Sequence, residues 1–203
     1  MTSNKSIQPI AALRLISTFG TRVIMNLPNI FFWNQKKKVC TRDDCTESDL
    51  IQYSVDHLKT AEKLYELSGR WTWEYLHSAA FLSHLGIELL LKACILHFED
   101  QFPAVHDLKR LFRQLHKKGI KLSDQNKKWL NYLNNCNALR YPDIATRTEV
   151  DINHWGKTKA LFEELRANVP VEIQRQIVSH ERYRSNVKSG KTIWPENKGR
   201  TTA

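Results

Sequence analysis

Three ionisable residues lie inside one of the most apolar stretches of the chain. The segment from 84 to 97 reads HLGIELLLKACILH, and His84, Glu88 and Lys92 follow one another at intervals of four. On a helix this spacing places the three side chains in one line. A carboxylate, an ammonium and an imidazole can form ion pairs or exchange protons, but a helix this apolar must be buried on most sides. We therefore expect the line to lie at the rim of a core, or inside the fold with partners from another segment.

The sequence contains none of the common motifs for metal binding or nucleophilic catalysis. GKT at 190–192 lacks the upstream glycine of a phosphate-binding loop, and there is no HExxH, no CxxC and no nucleophile elbow. The cysteines at 40, 45, 94 and 136 do not have the spacing of a zinc site. We expect no metal and no cofactor, and the cysteine usage favours a reducing, cytoplasmic compartment.

The net charge of +10 is carried by the two ends of the chain. Residues 1–42 contain seven Lys or Arg and no acid, and residues 181–203 contain six Lys or Arg and two Glu. The remainder, with 18 basic and 19 acidic residues, is almost neutral. Overall charge is therefore weak evidence for a nucleic-acid-binding domain. The basic run LKRLFRQLHKKGIK at 108–121 is interpreted as a solvated helix face rather than a nucleic-acid groove.

The first part of the chain is apolar and contains no acidic residue. Arg14, Arg22 and Pro28 interrupt the run IAALRLISTFGTRVIMNLPNIFFW, so it makes a poor transmembrane helix and we do not expect a membrane span. A flexible leader, with the folded protein beginning later, is one interpretation. Membrane association and an organelle-targeting peptide are the alternatives.

Helical periodicity dominates the chain from residue 47 onwards, and no segment shows the sustained alternation of a strand. The pattern predicts helices over 47–67, 73–98, 106–118, 124–139 and 153–169, with a short one after Pro170. Short connections between long helices favour antiparallel packing. We therefore predict an all-α, up-and-down bundle of four to five helices. The predicted organisation is a basic, apolar leader over 1–45, a helical domain over 46–180 and a basic, disordered tail over 181–203.

Three motifs in order along this helical domain resemble the HEPN family. Its members carry Glu-x-x-x-Lys-Ala on the second helix, His-Asp-Leu at the start of the third and an Arg-Tyr-Pro turn after the fourth. The matching residues here are Glu88, Lys92 and Ala93, then His106, Asp107 and Leu108, and last Arg140, Tyr141 and Pro142. The resemblance covers roughly residues 47–168 and implies a helical bundle of this family.

The first two motifs supply candidate partners for the buried carboxylate. Glu88 in a helical core requires groups that satisfy it, and Lys92 and His106 are the candidates, with Asp107 capping the third helix. These four residues either form a structural polar network that fixes the helix register or contact a ligand. His84 is expected to be a packed helix residue.

The third motif supplies the candidate site for catalysis or binding. The resemblance implies ribonuclease activity through an Arg followed after four to six residues by a His, which act on phosphate and on a proton respectively. Arg140 lies at the family's Arg position but no His follows at that distance, whereas Arg147 and His154 do fit the spacing. Arg140, Arg147 and His154 are therefore the candidate catalytic residues. Arg140 and Tyr141 are the candidate ligand-binding residues, unless Arg140 pairs with Asp143 and merely fixes the turn.

Three hypotheses about function follow from these features. The first is a HEPN domain that binds a nucleotide, an RNA or a partner protein with weak or no catalysis, which the missing His favours. The second is an active, metal-independent endoribonuclease of a toxin–antitoxin or defence system, restrained by a nucleotidyltransferase-type antitoxin. The third is a structural scaffold with a membrane-associating N-terminus. The resemblance also implies a homodimer, and the wide apolar set on the fourth helix supports one: Trp129, Tyr132, Leu133, Cys136 and Leu139.

Overall fold

The computed structural model describes residues 38–68, 73–141 and 149–188. The elements in this part of the chain are β1 (Val39–Thr41), α1 (Glu47–Ser68), α2 (Trp73–Glu99), β2 (Gln101–Pro103), α3 (Leu108–Lys117), α4 (Asp124–Cys136), a 3-10 turn (Asn137–Arg140), α5 (His154–Asn168) and α6 (Val171–Lys188). The predicted all-α helical bundle is confirmed. The described residues form six helices, and the one after Pro170, which was predicted to be short, has 18 residues.

Helix α2 is the central member of the bundle, because α1, α3, α4 and α5 all pack against it. Most of its length is buried, including the run from Leu90 to Leu96. By length and composition α2 could cross a membrane, since the segment Tyr75–Glu99 has a mean hydropathy of 1.7, but 78% of its most apolar window is buried inside the bundle. A central position, with four other helices packed against it, accounts for this apolar composition.

Side-chain caps fix where three of the helices begin. Thr46 and Asp49 cap α1 reciprocally, since Asp49 Oδ2 accepts from Thr46 N at 3.0 Å and Thr46 Oγ1 accepts from Asp49 N at 3.1 Å. Asp107 caps α3 by accepting from Lys109 N and Arg110 N. Ser123 caps α4 by accepting from Asn126 N at 3.3 Å. The caps at 107 and 123 lie at the sequence positions that the residue types predict.

A two-stranded antiparallel sheet joins the segment before α1 to the segment after α2. Cys40 of β1 pairs with Phe102 of β2 in this ladder. Arg42 lies 2.5 Å from Asp100 Oδ1 and 3.0 Å from Glu47 Oε1, so it links the ends of the two helices. Residues 38–45 therefore pack on the helical body, upstream of the predicted domain start at 46. Residues 1–37, to which most of the predicted leader belongs, lie outside the described residues.

Helices α1 and α2 lie close together at Gly86. A Cβ atom at this position would lie 2.6 Å from Leu58 Cγ and 3.1 Å from the backbone oxygen of Ser54. The Ser54 hydroxyl donates to the Gly86 carbonyl at 2.7 Å, so the contact is polar as well as close. Glycine is needed here because any side chain would separate the two helices.

Helix α6 packs along α1 through polar contacts. His180 Nε2 lies 3.2 Å from Ser48 Oγ, and Arg184 forms an ion pair with Asp56. The helix continues to Lys188, into the region predicted as a disordered tail. Residues 189–203 of that tail lie outside the described residues.

The apolar residues of α4 face the inside of the chain's own bundle. Trp129, Leu133, Cys136 and Leu139 are all buried, and Tyr132 is partly buried. From the sequence alone, this apolar set is wider than packing within one bundle requires, which favoured a dimer. These residues are instead used by the packing of α4 against α2, α3 and α5, so this face gives no support for a second copy.

All four cysteine thiols are buried, and they lie in three separate places. Cys40 is in β1 and Cys45 precedes α1, whereas Cys94 is in the middle of α2 and Cys136 ends α4. Burial raises the pKa of Cys45 to about 11 and that of Cys136 to about 12. Burial raises the pKa of Cys94 further still. These thiols therefore pack as small apolar groups at neutral pH.

Candidate functional site

The polar line of α2 forms a buried cluster around Glu88. The side chains of His84, Glu88 and Lys92 are at most 3% exposed, whereas His106, from the segment before α3, is 45% exposed. Glu88 Oε1 accepts from Lys92 Nζ at 2.5 Å. His106 Nδ1 lies 3.0 Å and 3.1 Å from the two carboxylate oxygens. The structure thus brings together Glu88, Lys92 and His106, and His106 covers the carboxylate on the solvent side.

His84 completes the cluster, although the sequence predicted it to be only a packed helix residue. Its Nε2 lies 3.2 Å from Glu88 Oε2, and its Nδ1 lies 3.0 Å from the carbonyl oxygen of Leu133 in α4. A carbonyl oxygen can only accept, so Nδ1 carries a proton and donates it. The shared spacing of four residues was the signal that pointed to His84 as a member of the cluster.

The electrostatics of the cluster favour an ionised Glu88. Burial alone raises the pKa of a carboxyl group, but hydrogen bonds from His106 and His84 and the charge of Lys92 outweigh it. The pKa of Glu88 is held well below its usual range. An ionised Glu88 can only accept hydrogen bonds, and it accepts them from Lys92 Nζ and from the imidazole of His106. The positive charge of Lys92 thus lies directly against the negative charge of Glu88.

Hydrogen bonds at the start of α3 connect this cluster to α4. Asp107 uses its carboxylate as the α3 cap, and Asn134 Oδ1 of α4 accepts from Leu108 N at 2.7 Å. Sequence reasoning did not find Asn134, because a single Asn in the run NNCN gives no indication of which one faces another helix. Through His106 and Asn134 the start of α3 is fixed to both α2 and α4. This arrangement can set helix register.

The 3-10 turn after α4 presents Arg140 and Tyr141 at the surface. Both are exposed, and the Arg140 guanidinium carbon lies 4.8 Å from the centroid of the Tyr141 ring. Within the described residues Arg140 has no carboxylate partner. Asp143, the alternative partner predicted from the sequence, lies outside the described residues. The turn is held by the buried Leu139 beside it.

His154, at the start of α5, is fully buried. It packs against the rings of Trp129 and Tyr132, with centroids 5.3 Å and 5.9 Å away. Neither of its ring nitrogens has a hydrogen-bond partner among the described residues. Burial lowers the pKa of His154 to about 4, although the nearby Asp151 charge acts in the opposite direction. In this position the imidazole has no access to a substrate on the surface.

The predicted pair of Arg147 and His154 is therefore not assembled as a surface site by the described residues. Arg147 lies outside them, and the side chain of His154 is directed into the core. Spacing along the chain fits the pair, but spacing does not tell which side of α5 faces the bundle. Within the part of the chain that the structure describes, no three His, Cys, Asp or Glu side chains converge to hold a metal ion.

Comparison with known protein families gives a match. The family model described as the HEPN domain matches residues 48–169, which is more than half of the chain and spans α1 to the end of α5. No curated protein and no solved structure matches the chain significantly.

Proposed function

The chain belongs to the HEPN family, and we propose that its domain binds a phosphate-bearing ligand, a nucleotide or an RNA, through Arg140 and Tyr141 with little or no catalysis. The family places it among helical domains of nucleases and nucleotide-binding proteins. The observation that carries the proposal is the exposed pair formed by these two side chains at the end of α4.

The geometry of the pair suits a nucleotide. A guanidinium offers a planar set of donors that matches two phosphate oxygens, and its charge is not neutralised by a carboxylate among the described residues. An aromatic ring that is 51% exposed can stack on a base. Stacking of Arg140 on Tyr141 restricts both side chains before a ligand arrives, which lowers the entropic cost of binding.

Weak or absent catalysis is supported by the position of His154. A general acid or base must reach the proton that it transfers. His154 is the histidine whose spacing from Arg147 fits the family's catalytic pattern, and it is 0% exposed. An Arg without an accessible acid–base partner can bind a phosphate but contributes less to its cleavage.

Binding of adenosine monophosphate and of a labelled oligouridylate, measured by fluorescence anisotropy and calorimetry, tests the proposal. Arg140→Ala removes charge-assisted hydrogen bonds and is expected to weaken binding about ten- to a hundredfold. Arg140→Lys should restore only part of the affinity, because an ammonium lacks the bidentate geometry. Arg175→Ala is the matched control, since Arg175 is an exposed Arg of α6 without an ion pair among the described residues.

Two outcomes would contradict the proposal. Unchanged binding in Arg140→Ala, with the helical content intact by circular dichroism, would show that the turn is not the site. Cleavage of the RNA that disappears in Arg140→Ala would instead establish the active endoribonuclease, for which a nucleotidyltransferase-type antitoxin is the partner that the family suggests. A homodimer that brings two Arg140 side chains to one cleft now rests on the family resemblance, and light scattering tests it.

A further inference from the structure

Helix α3 and the loop after it carry a set of cations that no acidic residue interrupts. Between Leu108 and Ser123 there is no Asp or Glu. The six basic residues, all exposed, are Lys109, Arg110, Arg113, Lys117, Lys118 and Lys121. The apolar face of α3 is fully used by the core, where Leu108, Leu111, Phe112 and Leu115 are buried. We call the exposed set the α3 basic face.

The α3 basic face differs from the other charged helix surfaces of the domain. Elsewhere cations alternate with carboxylates on the same helix, as in the pairs Lys63–Glu66 of α1 and Lys127–Asp124 of α4. On the α3 basic face Lys118 forms an ion pair with Glu99 at 3.4 Å. The other five cations have no carboxylate partner among the described residues. A surface that served only solubility would not require this separation of charge.

Three of these cations form a row along the helix. Lys109, Arg113 and Lys117 follow one another at intervals of four, so successive side chains start about 6 Å apart along the axis. Like charges at this spacing destabilise a helix. The helix is held nevertheless by the Asp107 cap and by its buried apolar face. A row of unneutralised cations maintained against this repulsion indicates a polyanionic partner.

The sequence alone favoured a solvated helix face here, but on these observations we propose that the α3 basic face binds the sugar–phosphate backbone of a single-stranded RNA without reading its sequence. Backbone phosphates form a line of negative charges that a row of Lys and Arg can neutralise, with release of counterions. The first amides of α3 do not contribute, because Asp107 and Asn134 already accept from them. The contacts therefore come from the side chains.

The composition of the α3 basic face favours a nucleic acid over an acidic protein. Protein interfaces have an apolar centre, yet no large exposed hydrophobic residue lies between 108 and 123. Insertion into a lipid surface requires a free apolar face, and that of α3 is buried. This proposal does not depend on the nucleotide site at Arg140. It concerns a different segment and predicts binding of a polymer rather than of a mononucleotide.

The test compares two double variants of the full chain that remove equal charge. Arg110→Ala with Arg113→Ala removes two of the six cations of the α3 basic face, whereas Arg175→Ala with Arg182→Ala removes two exposed Arg residues from α6. Anisotropy of a labelled oligouridylate is measured over a series of salt concentrations. The basic ends of the chain contribute the same background in every variant.

We expect the α3 variant to bind the oligouridylate at least about tenfold more weakly, and its salt dependence to fall by about 1.4 in logarithmic slope, the value for two phosphate contacts on a single strand. Arg110→Lys with Arg113→Lys should retain binding, and adenosine monophosphate should bind every variant equally. Equal losses in the α3 and α6 variants would attribute the effect to net charge and overturn the proposal. Displacement of the RNA by polyglutamate as readily as by unlabelled RNA would also overturn it, because the surface would then accept any acidic chain.

Discussion

At the scale of single residues, the main feature is an ionised carboxylate in a helical core. A buried charge is costly unless partners offset its desolvation, and Glu88 is 2% exposed. His84, Lys92 and His106 supply those partners from α2 and from the start of α3. Because all three contact the same carboxylate, removing Glu88 takes the anionic partner from all of them at once, so the cluster depends on Glu88.

Glu88→Ala should lower the free energy of unfolding by about 3–5 kcal/mol, the scale for breaking a buried ion pair from one side. Urea denaturation measures this change. Glu163→Ala is the control, because Glu163 is a half-exposed residue paired with Arg166 at 3.5 Å, and its loss should cost less than about 1 kcal/mol. A Glu88→Ala protein within about half a kcal/mol of wild type would show that the cluster does not stabilise the fold.

The buried imidazole of His154 makes stability depend on pH. Burial lowers its pKa from 6.5 to about 4 in the folded chain, whereas unfolding exposes the ring to water and restores the ordinary value. Below pH 6.5 the unfolded chain binds this proton and the folded chain does not, so stability falls as the pH is lowered towards 4. The contribution of Glu88 has the same direction but is lost only below about pH 4.5, the ordinary pKa of its carboxyl group.

His154→Leu should remove about 2 kcal/mol of the difference in unfolding free energy between pH 7.5 and pH 5. Within the part of the chain that the structure describes, the substitution removes no hydrogen bond, because neither ring nitrogen has a partner there. Stability at pH 7.5 should therefore stay near that of wild type. Burial also lowers the pKa values of His57 and His180, which therefore make stability depend on pH in both proteins. The measured quantity is the difference in this pH dependence between wild type and His154→Leu. If stability depends on pH in the same way in both proteins, the folded state does not lower the pKa of His154.

At the scale of helices, the packing of α1 against α2 leaves no room for a side chain at Gly86. Gly86→Ala should destabilise by about 1–3 kcal/mol, because the added methyl group overlaps Leu58 and approaches the backbone of Ser54. Gly156→Ala is the matched control within α5, where nothing lies within 4 Å of the new Cβ atom. It should stabilise by about 0.5–1 kcal/mol through lower backbone entropy in the unfolded state. Thermal unfolding of the two variants in parallel measures both changes in stability. Changes of the same sign would refute the close approach of α1 and α2 at Gly86.

The helices that could be predicted from the sequence are those whose own residues carry the signal. Apolar periodicity gave α1 and α2, and residue type gave the caps at Asp107 and Ser123. The length of α6 could not be predicted, because contacts with α1 such as His180–Ser48 hold it and these are far apart in sequence. The strands β1 and β2 are three residues each, too short for alternation to be visible.

The candidate site shows the same division between local and distant information. The spacing of four marked Glu88 and Lys92 as one line, and the family resemblance added His106 and Asp107. The structure joins the line to α4 through Leu133 and Asn134. Such contacts depend on how α4 is rotated, which no single segment of sequence determines.

At the scale of the whole molecule, residues 38–45 close the end of the bundle where α1 begins and α2 ends. The β1–β2 ladder and the bridge from Arg42 to Asp100 and Glu47 hold this segment in place. A variant that starts at residue 46 should therefore be less stable than one that starts at residue 38. We expect a difference on the order of 2 kcal/mol from the apolar surface exposed around Phe102.

Urea denaturation of the two shortened chains measures this difference. Arg42→Ala in the longer chain is the control, because exposed ion pairs contribute little to stability and the ladder remains. Equal stability of the chains starting at 38 and 46 would show that the small sheet does not contribute to the body.

The four buried thiols can report how often different parts of the domain open locally. An alkylating reagent reacts only with a thiolate that has reached water, so each cysteine records how often its surroundings open. Cys40 and Cys45 report on the small sheet, Cys94 on the centre of α2 and Cys136 on the end of α4. Mass spectrometry after brief exposure to iodoacetamide should show Cys40 and Cys45 modified first and Cys94 last, because fraying at an edge costs less free energy than opening the centre. A single common rate at all four sites would instead mean that the domain opens as one cooperative unit.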